Sequence, residues 1–216
     1  MPSFRPRKPY KIVLITTFRC NAACVDCCFG CRPDRGKTMT IDEMKHYVDI
    51  CMDAYPDSIR QLDLTGGECF LLGSDLDEII RYGKDRGLLV ALVSNGYWGK
   101  SYTAALERIL QLRASGLNEI AFSVGDDHQH ILPLKGCRNA AVASARAGYK
   151  VEFRMETRYG QCSVYEKLKE DSAFMRLVNA GKIDIVFWMW RKYNNDVRHG
   201  RGYPWHWRPY EESKPC

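Results

Sequence analysis

Five of the ten cysteines fall within "CNAACVDCCFGC", the twelve positions from Cys20 to Cys31. Thiolates are the usual protein ligands of iron–sulfur clusters and of structural zinc. Cys20, Cys24 and Cys27 read as CxxxCxxC, and three thiolates from one tight loop leave one iron of a four-iron cluster open for another ligand. Cys24, Cys27, Cys28 and Cys31 read instead as two CxxC pairs for a four-thiolate zinc site. Those pairs are adjacent, and the short "CCFGC" connection is a cramped wrap around a tetrahedral ion. That weighs toward iron–sulfur, and the loop alone leaves both readings open.

A second piece is "DLTGGECFL", with Gly66, Gly67 and Glu68 after a strand-like run. Glycines at a strand end let the backbone approach a ligand closely, and the carboxylate that follows could accept hydrogen bonds from an ammonium group. A Gly-Gly pair alone is more often only a turn. "DDHQH" places His128 and His130 two apart behind two acids, but with no third ligand in view it reads as a solvated loop. Cys51, Cys137 and Cys162 suit helix faces or helix starts and need no special role.

These residues must be positioned by something, and the chain supplies a regular frame. Short β-branched or aromatic runs alternate with helical periods, the mark of repeated βα units and a parallel sheet. Six strands are expected at 11–18, 60–65, 88–94, 118–124, 150–157 and 182–190, with helices at 41–54, 74–86, 102–115, 137–148 and 163–179. Thr40 with Glu43, and Ser74 with Asp77, have the pattern of a capping box. The cysteine loop then lies at the carboxyl end of the first strand, where parallel folds build their sites.

Strand faces carry the argument inward. Val151, Phe153 and Met155 alternate with Glu152, Arg154 and Glu156, so the apolar set should meet the helices and the charged set should point into a barrel. Leu62 and Leu64 alternate with Gln61, Asp63 and Thr65, and Ile120, Phe122 and Val124 with Ala121, Ser123 and Gly125. A polar, small-residue interior suits a cavity for a bound molecule better than a filled core. An open sheet with these charges on a solvent face is the alternative.

With 216 residues, 45% of them hydrophobic and 27% charged, the chain suits one ordinary globular domain. The net charge of +6 is spread without a like-charge run, so a nucleic-acid partner is not expected. The apolar run near the start, Ile12–Ile15, is too short for a signal peptide or a membrane span. The expectation is a cytoplasmic protein with no membrane partner, whose cysteines serve metal rather than disulfides.

CxxxCxxC after strand one and GGE after strand two, in that order, resemble the radical S-adenosylmethionine (radical SAM) enzymes, over residues 11 to about 202. The resemblance implies an α/β fold, a partial (β/α)6 TIM-like barrel, with a 4Fe-4S cluster on Cys20, Cys24 and Cys27. It further implies S-adenosyl-L-methionine bound at the fourth iron and reductively cleaved to a 5'-deoxyadenosyl radical that abstracts hydrogen from a substrate. By the same resemblance Gly66, Gly67 and Glu68 contact the methionine amino group. Ser94 and Asn95 of "VSNG" face the cofactor, Ser123 and Asp126 of "FSVGDD" lie near ribose or carboxylate, and Arg154 meets the methionine carboxylate. "HGRG" at 199–202 resembles the family's Gly-Arg segment after strand six. For the last four of these contacts apart from Arg154, namely Ser94, Asn95, Ser123 and Asp126, strand-end turn chemistry is the plainer explanation.

The chain also departs from the family. Asp26 stands where an aromatic residue usually precedes the third cysteine, with Phe29 as a substitute adenine contact. Cys69 replaces the usual Pro after GGE, and Cys28 and Cys31 are additional. The expected organisation is a barrel over 1–191, with its cluster loop at 19–36, and a non-periodic extension at 192–216. That extension, with Trp205, Trp207 and Tyr210, either covers barrel surface or begins a further cysteine-rich region. The expected substrate is a peptide or protein side chain, with a small metabolite or a glycyl-radical enzyme as alternatives and flavodoxin or ferredoxin as electron donor. A noncatalytic zinc-stabilised module is the alternative of a different class.

Overall fold

The structure, a computed structural model, describes residues 8–25, 27–157 and 162–189. Its frame is one six-stranded sheet: β1 (Lys11–Ile15), β2 (Gln61–Thr65), β3 (Leu89–Ser94), β4 (Glu119–Gly125), β5 (Val151–Thr157) and β6 (Ile183–Met189). The strands lie in chain order and every neighbouring pair is parallel. Parallel crossovers are right-handed, so an order that never reverses brings each returning helix onto the same face. A doubly wound sheet would need a reversal. The architecture is therefore the expected partial TIM-like barrel, with helices outside and strand residues lining the inside.

The helices are α1 (Ile41–Ala54), α2 (Ser74–Asp85), α3 (Tyr102–Ser115), the short α4 (Asp126–Gln129), α5 (Leu134–Arg146), α6 (Ser163–Lys169) and α7 (Ser172–Asn179). The start of α1 is set by a true capping box: Glu43 N–H donates to Thr40 Oγ1 at 3.2 Å and Thr40 N–H to Glu43 Oε2 at 2.8 Å. The second expected box does not form. Gly73 is the cap of α2, with no side-chain cap bond. Asp77 instead takes a two-pronged pair from Arg108, Nη2 to Oδ2 at 2.7 Å and Nη1 to Oδ1 at 2.8 Å, tying α2 to α3.

The expected helix over 163–179 is two helices. Asp171 accepts from Ala173 N–H and Phe174 N–H, both at 3.0 Å, and so opens a new helix at Ser172. Helix α5 begins three residues earlier than expected, at Leu134, and β1 stops at Ile15 rather than 18.

Alternation along the strands sorts core from lumen as expected. Leu62, Leu64, Val90, Phe122, Val124, Val151, Phe153 and Met155 are fully buried. They pack in one cluster with Met44 and Val48 of α1, Ile79 and Ile80 of α2, Ile109 and Leu112 of α3, and Phe174 of α7. Phe153 lies between Phe122 and Phe174, with ring centroids 6.2 Å and 5.2 Å away, favourable aromatic spacings. The intervening residues Gln61, Asp63, Ala121, Glu152 and Arg154 line a cavity on the inner face. The aromatic tail, the Gly-Arg segment, Cys216 and the division at 191 lie outside the described residues.

Candidate active site

The cysteine loop leaves the sheet on a stem that closes below it. Past the end of β1, Thr17 bridges Thr38 and Arg19 bridges Arg32. The bridges are held by Phe18 N–H to Lys37 O at 2.8 Å, Met39 N–H to Thr16 O at 2.9 Å and Cys20 N–H to Arg32 O at 3.2 Å. The loop is thus a closed excursion whose ends meet at the carboxyl edge of the barrel.

The GGE segment is the other half of this stem. Gly67 N–H donates to Thr17 O at 2.7 Å and Glu68 N–H to Arg19 O at 3.0 Å, so strand-like pairing continues past β2 directly onto the cysteine loop. A Cβ on Gly67 would lie 1.9 Å from Arg19 O, and one on Gly66 2.5 Å from Thr17 O. The close approach expected of these glycines is therefore made, first of all, to the protein's own backbone. Both glycines also border the cavity that holds the cysteines.

Glu68, expected to accept from an ammonium group, has a carboxylate that turns inward, 1% exposed, and accepts from three protein donors. Ser94 Oγ–H and Phe70 N–H reach Oε1 at 2.9 Å and 3.2 Å, and Asn95 N–H reaches Oε2 at 2.8 Å. Burial pushes its pKa up to about 7 despite the pull of Asn95, Phe70, Ser94 and the more distant His128. Glu68 thereby clamps the end of β3 to the end of β2. Ser94 Oγ also accepts from Trp98 Nε1 at 3.0 Å and Gly96 N–H at 3.0 Å, so the "VSNG" turn is fixed from both sides.

Cys20, Cys24, Cys27, Cys28 and Cys31 border one cavity with Gly66, Gly67, Ser94, Asn95, Ser123 and His128. Cys20 Sγ accepts from Ala22 N–H at 3.4 Å, and Cys27 Sγ from Cys31 N–H at 3.4 Å. Amide donors aimed at sulfur are what a ligating thiolate needs around it. Burial, followed by the charges of Glu156 and the neighbouring cysteines, pushes the Cys24 thiol up to about 12. Burial likewise raises Cys20. In the absence of metal the loop therefore holds these groups as thiols, and a bound metal would displace their protons. The donor set of Cys20, Cys24 and Cys27 suits an iron–sulfur cluster in its chemistry, and all three border the one cavity; among the described residues no three His, Cys, Asp or Glu side chains are gathered closely enough to hold a single metal ion. Cys28 is exposed and Cys31 is 2% exposed, and both face the same cavity. Asp26 lies outside the described residues, while Phe29 borders the cavity.

The ends of β4 and β5 complete the wall. Ser123 faces the thiol cavity. Asp126, expected near ribose or carboxylate, turns to the start of α6, accepting from Ser163 Oγ–H at 2.7 Å, Ser163 N–H at 3.0 Å and Val164 N–H at 3.0 Å. Arg154 points inward as expected but pairs with Glu152, and the cavity it lines is the one at the amino ends of the strands. That lower cavity is the larger, about 380 Å³ against about 140 Å³ for the thiol cavity, yet it holds ion pairs and no thiol. The five loop cysteines border the smaller one.

The "DDHQH" segment is not a solvated loop. His128 is 7% exposed, with Nδ1 3.0 Å from Glu156 Oε2, while Glu156 Oε1 accepts from His128 N–H at 3.0 Å and from Asp127 N–H. Sequence reasoning missed this pair. The signal was present in the inward phase of Glu156 on β5, which required a partner at the end of β4.

Comparison with known proteins agrees with this architecture. The chain is 32% identical over 114 residues to a Bacillus subtilis (strain 168) protein called "Putative peptide biosynthesis protein YydG", covering 52% of this chain and 34% of that one. It is 30% identical over 158 residues to the AdoMet-dependent heme synthase of Methanosarcina barkeri (strain Fusaro / DSM 804), covering 67% of this chain and 40% of that one. The matched regions thus span well under half the length of these relatives. In fold, it superposes on Streptococcus suis SuiB with a TM-score of 0.61 at 14% identity, covering 88% of this chain and 44% of the other. It superposes on methylornithine synthase (PylB) with a TM-score of 0.56 at 18% identity, covering 84% and 53%. The model of the Radical SAM superfamily matches residues 14–150, from β1 through the cysteine loop, the GGE stem and β4 to the threshold of β5, and the chain belongs to that enzyme superfamily.

Proposed function

We propose that residues 8–189 form the cofactor-cleaving barrel of a radical SAM enzyme that acts on a peptide or protein side chain. One observation carries the reading: Cys20, Cys24 and Cys27 border a single cavity at the carboxyl edge of the barrel, which Gly66 and Gly67 also line. In this proposal those three thiolates hold a 4Fe-4S cluster, which with S-adenosylmethionine supplies a 5'-deoxyadenosyl radical to remove hydrogen from the substrate. The chain's own work is binding and exclusion. The backbone around Gly66, Gly67 and Glu68 offers acceptors for the methionine amino group. Ser94 and Asn95 hold the β3 end in place, Ser123 offers a hydroxyl, and Arg154 lies one layer lower on the same inner wall. Asp126 serves the site through the start of α6.

The peptide substrate is supported by the name of the Bacillus relative, and a small-molecule substrate, as a second reading, by the heme synthase relative. A low-potential one-electron donor such as flavodoxin or ferredoxin would serve either. No described helix is long and apolar enough to cross a membrane. The test is anaerobic purification with iron and sulfide counted, then reduction with dithionite, addition of S-adenosylmethionine and assay for 5'-deoxyadenosine. Wild type should bind about four irons and form that product. Alanine at Cys20, Cys24 and Cys27 together should remove both, and a full iron complement in that variant would sink the assignment. A colourless protein with one zinc would favour a zinc-stabilised module.

A further inference from the structure

Asn95 comes from the end of β3, yet its side chain reaches the cysteine loop 75 residues away. Its Nδ2 donates to Asn21 Oδ1 at 2.8 Å and to Cys20 Sγ at 3.7 Å. A carboxamide nitrogen carries two hydrogens, one for each acceptor. The amide cannot be turned over without loss, because Oδ1 accepts from Tyr97 N–H at 3.1 Å. Its backbone is fixed as well: Asn95 N–H is held by Glu68 Oε2 at 2.8 Å. The residue is 6% exposed and Glu68 1%, so water does not compete for either group.

A chain of contacts therefore runs from the GGE stem through the β3 end to the sulfur of Cys20. Donors to a cluster's sulfurs draw charge from them, which favours the more negative, reduced state and raises the reduction potential. We infer that Asn95, held by Glu68, is a positioning residue that orients Cys20 and raises the potential at which the cluster takes up its electron. The inference rests on the function proposed above. It gives the buried carboxylate of Glu68 a task in the site, since both of its oxygens accept hydrogen bonds from the protein itself.

The step in question is one electron passing from a low-potential donor to the oxidised cluster, with no bond made or broken. Its test is an anaerobic redox titration followed by electron paramagnetic resonance, on wild type, Asn95→Asp and Asn95→Ala. Asn95→Asp keeps the acceptor for Tyr97 N–H and replaces the donor at Cys20 with an acceptor; Asn95→Ala removes the donor without adding charge. Both should retain the wild-type iron and sulfide content. At a fixed potential near the wild-type midpoint, the ratio of reduced to oxidised cluster should fall several-fold in Asn95→Ala and about tenfold in Asn95→Asp. Tenfold is a downward shift of about 59 mV for one electron. Asn21→Ala removes the other acceptor of Asn95 and a 3.9 Å contact that Cys20 makes only as a protonated thiol, leaves the Asn95 donor to Cys20 in place, and should stay near wild type. Titration curves of both Asn95 variants that superimpose on wild type would overturn the inference. So would loss of the cluster from both variants with unchanged circular dichroism, since Asn95 would then be holding the loop together rather than setting a potential. A wild-type protein that assembles no cluster overturns the proposed function and this inference together. A normal wild-type cluster with unmoved variants overturns this inference alone.

Discussion

Gly67→Ala tests whether GGE is built first to meet the cysteine loop. The new methyl would lie 1.9 Å from Arg19 O, 2.5 Å from Arg19 C and 3.2 Å from Cys20 N, where ordinary contact begins at 3.4 Å. Arg19 O must then retreat by about 1.5 Å, the difference between those two distances. No flexible side-chain end can absorb this, because every atom met is backbone. The retreat opens Glu68 N–H to Arg19 O and Gly67 N–H to Thr17 O, each worth about 0.5–1.5 kcal/mol net. Overpacking adds about 1–3 kcal/mol, so the loss should be about 2–6 kcal/mol. Urea unfolding of anaerobically purified protein, followed by circular dichroism, measures it, with iron content measured alongside. Gly36→Ala is the control, since a Cβ there meets nothing within 4 Å, and it should change stability by less than about 1 kcal/mol. Gly67→Ala with the urea midpoint and iron content of wild type would refute the reasoning.

Two further outcomes follow from the same contacts. Burial holds the folded carboxyl of Glu68 up at about 7 against an ordinary 4.5, so the folded state binds more protons between those values. Its contribution is present in full below about pH 4.5 and is lost as pH rises through 7, a fall of about 3 kcal/mol. Urea unfolding at pH 5 and pH 8 should show most of that fall in wild type and lack it in Glu68→Gln, and an equal change in the two proteins would count against it. Thr40→Ala removes the capping box of α1 and should cost about 1 kcal/mol, read as a lower urea midpoint with an unchanged denaturant slope and unchanged iron content.

Much of this frame was legible because its signals are local or strictly periodic. The alternation Val151, Phe153, Met155 against Glu152, Arg154, Glu156 assigns both faces of β5 without tertiary knowledge, and Thr40 with Glu43 places the start of α1 at Ile41. Expectations failed where a side chain had more than one credible partner. Ser74 and Asp77 have the same spacing as Thr40 and Glu43, but Arg108, 31 residues on from Asp77, offers a two-pronged ion pair that a cap cannot match. Asp171 could have sat within a helix, yet as an acceptor it opens α7 and also takes the Arg138 side chain at 2.6 Å. The cysteine cavity was legible in its members and not in its joinery. Nothing in "GGE" reveals whether the carboxylate faces a ligand or the next strand.

The joinery alters what the motif means. Three strand ends meet at the site, and each is tied to the next by the protein itself. Gly67 and Glu68 bind the stem of the cysteine loop through their backbone, Glu68 binds the β3 end through its side chain, and Asn95 returns from β3 to Cys20. Glu156 does the same between β5 and the start of α4 through His128. A loop with five cysteines has many ways to place its sulfurs, and conformational freedom of that kind must be removed before a ligand can bind tightly. Small residues at the crossing points allow the backbones to touch, and buried carboxylates fix their spacing. The residues that most resemble ligand contacts in the sequence, Gly66, Gly67 and Glu68, are thus also the ones that tie the stem of the cysteine loop, next to Cys20, to the ends of β2 and β3.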